Sequence, residues 1–297
     1  MIPNRHILCI GSALWDTIGR HDHVMEAGHD RPGRIRRVPG GVALNIAAAL
    51  ARLGMFPQVL TVLGTDPEGD TLALACAALG VDLTLALRRP DLPTDAYMAV
   101  EGANGLIAAI ADAHSLEAAG DAILAPLEDG TLGSAAAPYG GTIALDGNLT
   151  AALLSEIAGS PLFAAADLRI APASPGKADR LKAFLESGRG TLYVNREEAN
   201  LLSGCNAPDA GGAARCLLKA GAERCIVTDG VGEAVDLSAT NCYRATPPLV
   251  EPRRVTGAGD TLMAVHIAAE LKGMGRGEAL MHATQSAARY VAGEDIA

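Results

Sequence analysis

The stretch "ALNIAAALARLG", residues 43–54, puts Ile46, Leu50 and Leu53 on one face at helical spacing, and Gly54 supplies a stop. Upstream lies "HILCIG", residues 6–11, a short apolar run closed by Gly11 that reads as a buried strand. The same form returns in "VLTVLG", "TIALDG", "LRIAPA", "TLYVN" and "CIVTDG", with Ala/Leu-rich helical stretches between several of them. Strands alternating with helices predict an α/β fold: a mainly parallel sheet covered by helices on both faces.

One segment breaks the rhythm. "AYMAVEGANGLIAAIA", residues 96–111, holds two β-like runs joined through the turn dipeptide Asn104-Gly105, which predicts an antiparallel hairpin. With the charged stretch "GRHDHVMEAGHDRPGRIRRV" it forms either a small β lid, from about 15–39 and 93–113, or an extra edge of the main sheet. No repeat, low-complexity tract or linker divides the chain, so residues 1–297 read as a single domain carrying that lid.

The hydrophobic fraction of 49% against 20% charged residues excludes a disordered chain. A net charge of −10 disfavours nucleic-acid or anionic-membrane partners, which need clustered basic residues, so any phosphate must be held locally. Neither a secretion signal nor a membrane span is legible, which implies a cytoplasmic protein. Its six cysteines, Cys9, Cys76, Cys205, Cys216, Cys225 and Cys242, form no Cys-x-x-Cys pair and read as reduced core thiols.

Five local patterns carry candidate chemistry, each with a plain structural alternative. In "VTGAGDTLMAVHIAAEL", residues 255–271, the small residues Gly257, Ala258 and Gly259 open an apolar helix whose core-facing stripe is Leu262, Val265 and Ala269. Free N–H groups there suit a phosphoryl group, and Asp260 is placed to take a proton from the attacking hydroxyl. The alternative for Asp260 is an acid favouring the positive end of a helix. "PGGVALNIAAALARLG" brings Gly40 and Gly41 before a helix with Asn45 one turn on, a pattern for sugar hydroxyls or a satisfied strand-to-helix turn. Asp16, soon after the first strand, suits two neighbouring hydroxyls or an ordinary turn. In "YVNREEANLLSG", Asn195 and Glu198 share a helix face, either to hold a hydrated magnesium ion or as an N-cap pair. Thr228, Gly230 and Gly232 in "CIVTDGVGEAV" would face a nucleotide or form a tight turn.

In this order, the segments resemble the PfkB family of ribokinase-like kinases across nearly the whole chain. The resemblance implies a three-layer α/β/α body with a β lid, ATP and magnesium as cofactors, and γ-phosphate transfer to a primary alcohol. It implies that Asp16, Gly40, Gly41 and Asn45 hold the acceptor, Gly257 to Gly259 form the anion hole and Asp260 is the base. Glu198 with Asn195 would organise magnesium; Thr228, Gly230, Gly232, His282 and Ala283 would flank the nucleotide, and Lys177 would approach its phosphates. The sequence departs from the pattern at Arg254, where many members carry an acid linked to monovalent-cation activation, so a potassium requirement is in doubt.

Within the family, "LPTDAYMAV", "AIADAHSLE", "IALDGNLT" and "APASPGKADRLKAFL" look most like the pseudouridine kinase group, with Thr94, Tyr97 and Asp112 as lid groups for a uracil edge. Ribose, fructose, another nucleoside or a keto-deoxy sugar acid are the competing acceptors, the last because of Arg34, Arg36 and Arg37. A non-catalytic sensor is disfavoured because a pure binder has no need of Asp260. A dinucleotide-binding dehydrogenase lacks its Gly-x-Gly-x-x-Gly run after the first strand. An antiparallel lid with open edges also predicts a homodimer.

Overall fold

The computed structural model describes residues 5–26 and 28–296; Ala27, within the stretch assigned to the lid, and both chain ends lie outside the described residues. The strands are β1 (His6–Ile10), β2 (Leu14–Arg20), β3 (Arg34–Gly40), β4 (Phe56–Leu60), β5 (Val62–Gly64), β6 (Leu87–Arg89), β7 (Ala96–Gly102) and β8 (Gly105–Asp112). They continue with β9 (Thr142–Asp146), β10 (Asp167–Ala171), β11 (Thr191–Asn195), β12 (Arg224–Thr228), β13 (Ala234–Ser238) and β14 (Cys242–Ala245). The helices are α1 (Val42–Arg52), α2 (Pro67–Ala78), α3 (His114–Ala119), α4 (Ala151–Gly159), α5 (Lys182–Ser187), α6 (Arg196–Ser203), α7 (Ala210–Lys219), α8 (Ala258–Leu271) and α9 (Arg276–Val291).

Eight strands form the main sheet in the order β14-β13-β12-β11-β10-β9-β1-β4, parallel from β12 to β4 and antiparallel at β13 and β14. The period of two along each strand divides its side chains between two cores. Leu8, Ile10, Ile143, Leu145, Leu192 and Val194 enter one core with α3 to α7, while Ile7, Cys9, Ala144, Tyr193 and Ile226 enter the other with α1, α2, α8 and α9. Helices on both faces make this the ribokinase-like three-layer α/β/α arrangement.

β2, β3, β7 and β8 form a separate four-stranded sheet in the order β3-β2-β7-β8. β2 pairs antiparallel with β3 and parallel with β7, and β7 and β8 form a hairpin across Ala103 and Asn104. One end of this sheet, where Leu14 faces Gly40, adjoins Ser12 after the end of β1 and Gly41 at the start of α1.

Two expectations are corrected here. Helix α8 has no single core-facing stripe: Thr261 to Ala269 are all buried, because the helix is packed between α1 and α9 as well as on the sheet. The six cysteines are not all thiols: Cys205, after α6, is joined to Cys216 on α7 by a disulfide with Cα atoms 6.4 Å apart. Both are half-buried where α6 packs on α7, a proximity created by the helix pairing and invisible in the linear spacing. Cys9, Cys76 and Cys225 are buried thiols whose pKa burial pushes up to about 12, 11 and 12, while Cys242 is free and exposed.

Candidate active site

The sheet order reverses at β1, whose neighbours β4 and β9 lie on opposite sides and follow it in the chain. Parallel sheets open a crevice outside the carboxyl ends of their strands at such a point. Gly11 and Ser12 leave β1 there, Asp146 ends β9, and α1 begins at Gly41 with φ 101°. Asp146 is fully buried and accepts hydrogen bonds from Ser12 N (2.8 Å), Ser12 Oγ (2.5 Å), Ala43 N (3.3 Å) and Asn148 N (2.7 Å). Ser12 Oγ also accepts from Val42 N at 3.0 Å, so Ser12 and Asp146 satisfy two of the open N–H groups of α1. Sequence reasoning missed these two residues and Asn148; the signal was an acid ending a fully apolar strand, as in "TIALDG".

This bracing orients α1 so that Asn45 Nδ2 donates to Asp260 Oδ2 at 3.0 Å across 215 residues of chain. Asp16 lies in β2 opposite Val38 and Tyr97, so all three side chains share one face. Among the described residues no donor is bonded to the Asp16 carboxylate, and burial pushes its pKa up to about 6. A half-buried carboxylate without a partner is suited to receive ligand hydroxyls. Gly40 is needed beside it, because a Cβ there would collide with the Asp16 carboxylate.

On the other wall, Gly257 begins α8 in the left-handed region, φ 85°. Ala258 N donates to Val255 O at 3.1 Å, but the N–H groups of Gly257, Gly259 and Asp260 find no acceptor among the described residues. Among the described residues the open backbone donors of this turn are therefore those of Gly257, Gly259 and Asp260, while the Ala258 N–H is already bonded. Burial pushes the Asp260 pKa up to about 7; the Asn45 hydrogen bond lowers it, while Asp146, Glu198 and Asp16 add to the rise. A carboxylate poised near neutrality, beside unpaired N–H groups at the positive end of a helix, can accept a proton while charge develops on a phosphoryl group.

Asn195 and Glu198 form a reciprocal capping box on α6: Glu198 N donates to Asn195 Oδ1 and Asn195 N to Glu198 Oε2, both at 2.9 Å. That arrangement uses one oxygen of each side chain and leaves Glu198 Oε1 without a donor among the described residues. Glu198 is buried, which raises its pKa. Among the described residues no cluster of three or more His, Cys, Asp or Glu side chains can enclose a metal ion.

A cavity of about 290 Å³ adjoins the α8 turn. Thr228, Gly230 and Gly232 line it together with Ala258 and Gly259, and Pro247, Val250 and Leu262 make its apolar walls. His282 and Ala283 do not line it: His282 is exposed and Ala283 is closed off in the core. Helix α9 instead presents Thr284, Ala287, Ala288 and Val291, the stripe that begins one residue after Ala283.

Three further candidates have partners away from the roles expected of them. Lys177 does not line this cavity; its Nζ donates to Asn148 Oδ1 at 2.7 Å beside Asp146. The Thr94 hydroxyl is occupied, donating to Asp66 Oδ1 at 2.6 Å and accepting from Gly64 N at 3.1 Å, so it ties the small sheet to the start of α2. Asp112 pairs with Ala96, on the face opposite Tyr97 and Asp16, and is bonded to His114 Nδ1 at 2.8 Å.

The description "pfkB family carbohydrate kinase" matches residues 4–294. The chain belongs to this family. Among curated relatives of the pfkB family, it is 29% identical over 266 residues to pseudouridine kinase from Escherichia coli, covering 87% of this chain and 82% of the relative. Among solved structures, a carbohydrate kinase from Agrobacterium tumefaciens is 30% identical, with TM-score 0.78 over 96% of this chain and 89% of that one. Arabidopsis thaliana ribokinase, complexed with ribose and ATP, shares the fold at 19% identity, with TM-score 0.73 over 98% and 93% of the two chains. Among the described residues no helix is long and apolar enough to cross a membrane.

Proposed function

We propose that this pfkB-family kinase transfers the γ-phosphate of ATP to a primary hydroxyl, with pseudouridine as acceptor. The observation that carries the reaction is the Asn45–Asp260 hydrogen bond of 3.0 Å, which joins the acceptor-side helix start to the open first turn of α8. Asp16 and Asn45 hold acceptor hydroxyls, Asp260 takes the proton of the attacking hydroxyl, and the N–H groups of Gly257, Gly259 and Asp260 receive the transferred phosphoryl oxygens. The adenine lies in the apolar cavity between Pro247 and α9.

A magnesium ion fits the charge pattern, since Asp146, Glu198 and Asp16 all lie near enough to Asp260 for their charges to add to its raised pKa. Glu198, with Asn195, would hold it through water, and the bound ion would neutralise phosphate charge. We also propose that turnover needs no added potassium, because the position before the turn is held by the Arg254 guanidinium.

The pseudouridine assignment is supported by the Escherichia coli relative and by Tyr97 standing beside Asp16, where it can meet a base edge next to a ribose. The second reading is a keto-deoxy sugar acid. Arg36, opposite Ile18, shares the Asp16 face, whereas Arg37 turns away with its guanidinium 4.5 Å from the Trp15 ring centre. ADP release from ATP and magnesium is the test, with pseudouridine, uridine, adenosine, ribose, fructose and 2-keto-3-deoxygluconate, each with and without potassium. Selective turnover of pseudouridine supports the assignment; selective turnover of another acceptor replaces it, and silence across the panel counts against the kinase.

The pH profile follows from Asp260. Its active form is the carboxylate, so kcat/KM rises as pH climbs through about 7 and falls close to tenfold per unit below about pH 6. A flat kcat/KM profile from pH 5 to 8 would contradict its role as base.

The face of the small sheet away from Asp16 exposes Ile35, Met98 and Ile110. We propose that a second copy covers this apolar face, giving a homodimer. Light scattering at micromolar concentration is expected to return twice the mass of the chain, and a monomer mass would reject it.

A further inference from the structure

The cavity beside the α8 turn has mostly apolar walls. Among the described residues that line it, Asp229, between Thr228 and Gly230 after the end of β12, is the one with an ionised side chain. A carboxylate beside apolar walls is costly unless it is paired and hydrogen-bonded, so its presence needs a cause. Arg196 is half of that cause. Asn195 pairs with Thr228 in the main sheet, which brings the first residue of α6 next to Asp229, and Arg196 Nε donates to Asp229 Oδ1 at 2.8 Å. Asp229 Oδ2 has no donor among the described residues.

The turn holds this carboxylate in place. Gly232 N donates to Asp229 O at 2.7 Å, and a Cβ added at Gly232 would lie 3.4 Å from Asp229 Cβ and 3.7 Å from its Cγ. The carboxyl group is therefore seated against Gly232, itself part of the wall. Thr284, on the opposite wall, offers no equivalent, because its buried hydroxyl already donates to Leu280 O at 2.8 Å.

Position decides what the free oxygen can meet. Ala258 and Gly259 of the α8 turn form one end of the cavity, and Pro247, Val250 and the α9 stripe form the other. With phosphates at the first end and adenine at the second, the ribose lies between them. Asp229 follows Thr228, which adjoins Asn195 at the phosphate end, so it stands where the two parts of the nucleotide join. A carboxylate oxygen there suits two neighbouring hydroxyls, which it binds by charge-assisted hydrogen bonds.

We propose that Asp229, positioned by Arg196, accepts hydrogen bonds from the ribose hydroxyls of the bound nucleotide and makes the site select ribonucleotides over their deoxy counterparts. The proposal rests on the kinase reading for the nucleotide itself. It accounts for the ion pair as well, since Arg196 offsets a negative charge that would otherwise repel the phosphates.

Calorimetric titration of the full chain tests this without any acceptor, using ADP, inosine diphosphate and dideoxy-ADP, which lacks both ribose hydroxyls, each with magnesium. The native protein is expected to bind ADP about tenfold more tightly than dideoxy-ADP, the worth of hydrogen bonds to a charged group. Asp229→Ala should lose about tenfold in ADP affinity and change less than about twofold toward dideoxy-ADP, which ties the loss to the hydroxyls. Arg196→Ala should weaken ADP by about threefold with the same indifference toward dideoxy-ADP, and Arg196→Lys should recover part of that loss. A purely structural role for Arg196 would weaken both ligands alike. On a turned-over acceptor, the loss in Asp229→Ala should fall on the KM for ATP and spare the KM for the acceptor. Equal affinity of the native protein for ADP and dideoxy-ADP overturns the proposal and leaves the kinase reading standing. So does an Asp229→Ala variant that stops discriminating against inosine diphosphate but still discriminates against dideoxy-ADP, which would put the carboxylate on the adenine amino group. No ADP binding by the native protein overturns the kinase reading and the proposal together.

Discussion

Asp260→Asn is expected to lower turnover by about 10²–10⁴-fold while ADP affinity stays within a factor of about two. The side chains have nearly the same shape, so Asn45 keeps a partner oxygen and the α8 turn keeps its open N–H groups. What disappears is the carboxylate, with its pKa pushed up to about 7, that accepts the proton of the attacking hydroxyl. The same substitution has a stability signature of opposite sign. The Asp260 pKa is pushed up to about 7 in the folded chain, against about 3.9 for an ordinary aspartate, so the folded state retains the proton longer. Stability is therefore lost as pH rises from about 4 through about 7, and the loss persists above it. Asparagine removes that loss. Because water still reaches this half-buried residue, the full shift is discounted, and the variant should exceed the native protein by about 1–2 kcal/mol at pH 8 and match it near pH 4. Urea unfolding at the two pH values measures this. A variant as active as the native chain would remove Asp260 from the mechanism.

Gly41→Ala is expected to damage both folding and the site. Gly41 adopts φ 101° and ψ 141°, a region almost reserved for glycine, and its Cβ would lie 2.5 Å from Ser12 O and 2.9 Å from Ser12 Oγ. Ser12 O accepts from Leu44 N and Ser12 Oγ from Val42 N, so relieving the clash disturbs the first turn of α1 and displaces Asn45 one turn further on. Strain and overpacking together should cost about 2–4 kcal/mol, and an ångström of displacement at Asn45 and Asp260 about 10²-fold in kcat/KM. Gly54→Ala is the control, since Gly54 is also at positive φ, 78°, with nothing within 4 Å of its Cβ position. It should cost about 1 kcal/mol and leave turnover unchanged. Equal behaviour of the two variants in urea unfolding and kinetics would reject the argument.

The features legible in sequence are those set by near neighbours. Apolar runs such as "HILCIG" divide between two cores because adjacent residues of a strand point oppositely, and Gly257 to Asp260 open α8 because small residues and a helix start are local properties. What near neighbours do not set is orientation and the partner each side chain meets. Asp112 sits in the expected strand but one parity step from Tyr97, which turns it to the far face. His282 and Ala283 lie on the expected helix but out of phase with the cavity that Thr284 and Ala287 line. Thr94 and Lys177 were judged by chemistry, and their polar atoms are already bonded to Asp66 and Asn148. Cys205 and Cys216 meet because α6 packs on α7.

By itself the sequence determined the α/β class, the elements that begin with open N–H groups, and the acid carried at the start of α8. Each depends on hydrophobic period or glycine placement within a few residues. Only the tertiary structure decided that Asn45 meets Asp260, that Asp146 and Ser12 brace α1, and that Arg196 holds Asp229. Those pairings depend on strand order, register and helix phase summed over distant segments, and a change of one residue in register or about 100° in helix phase would undo them.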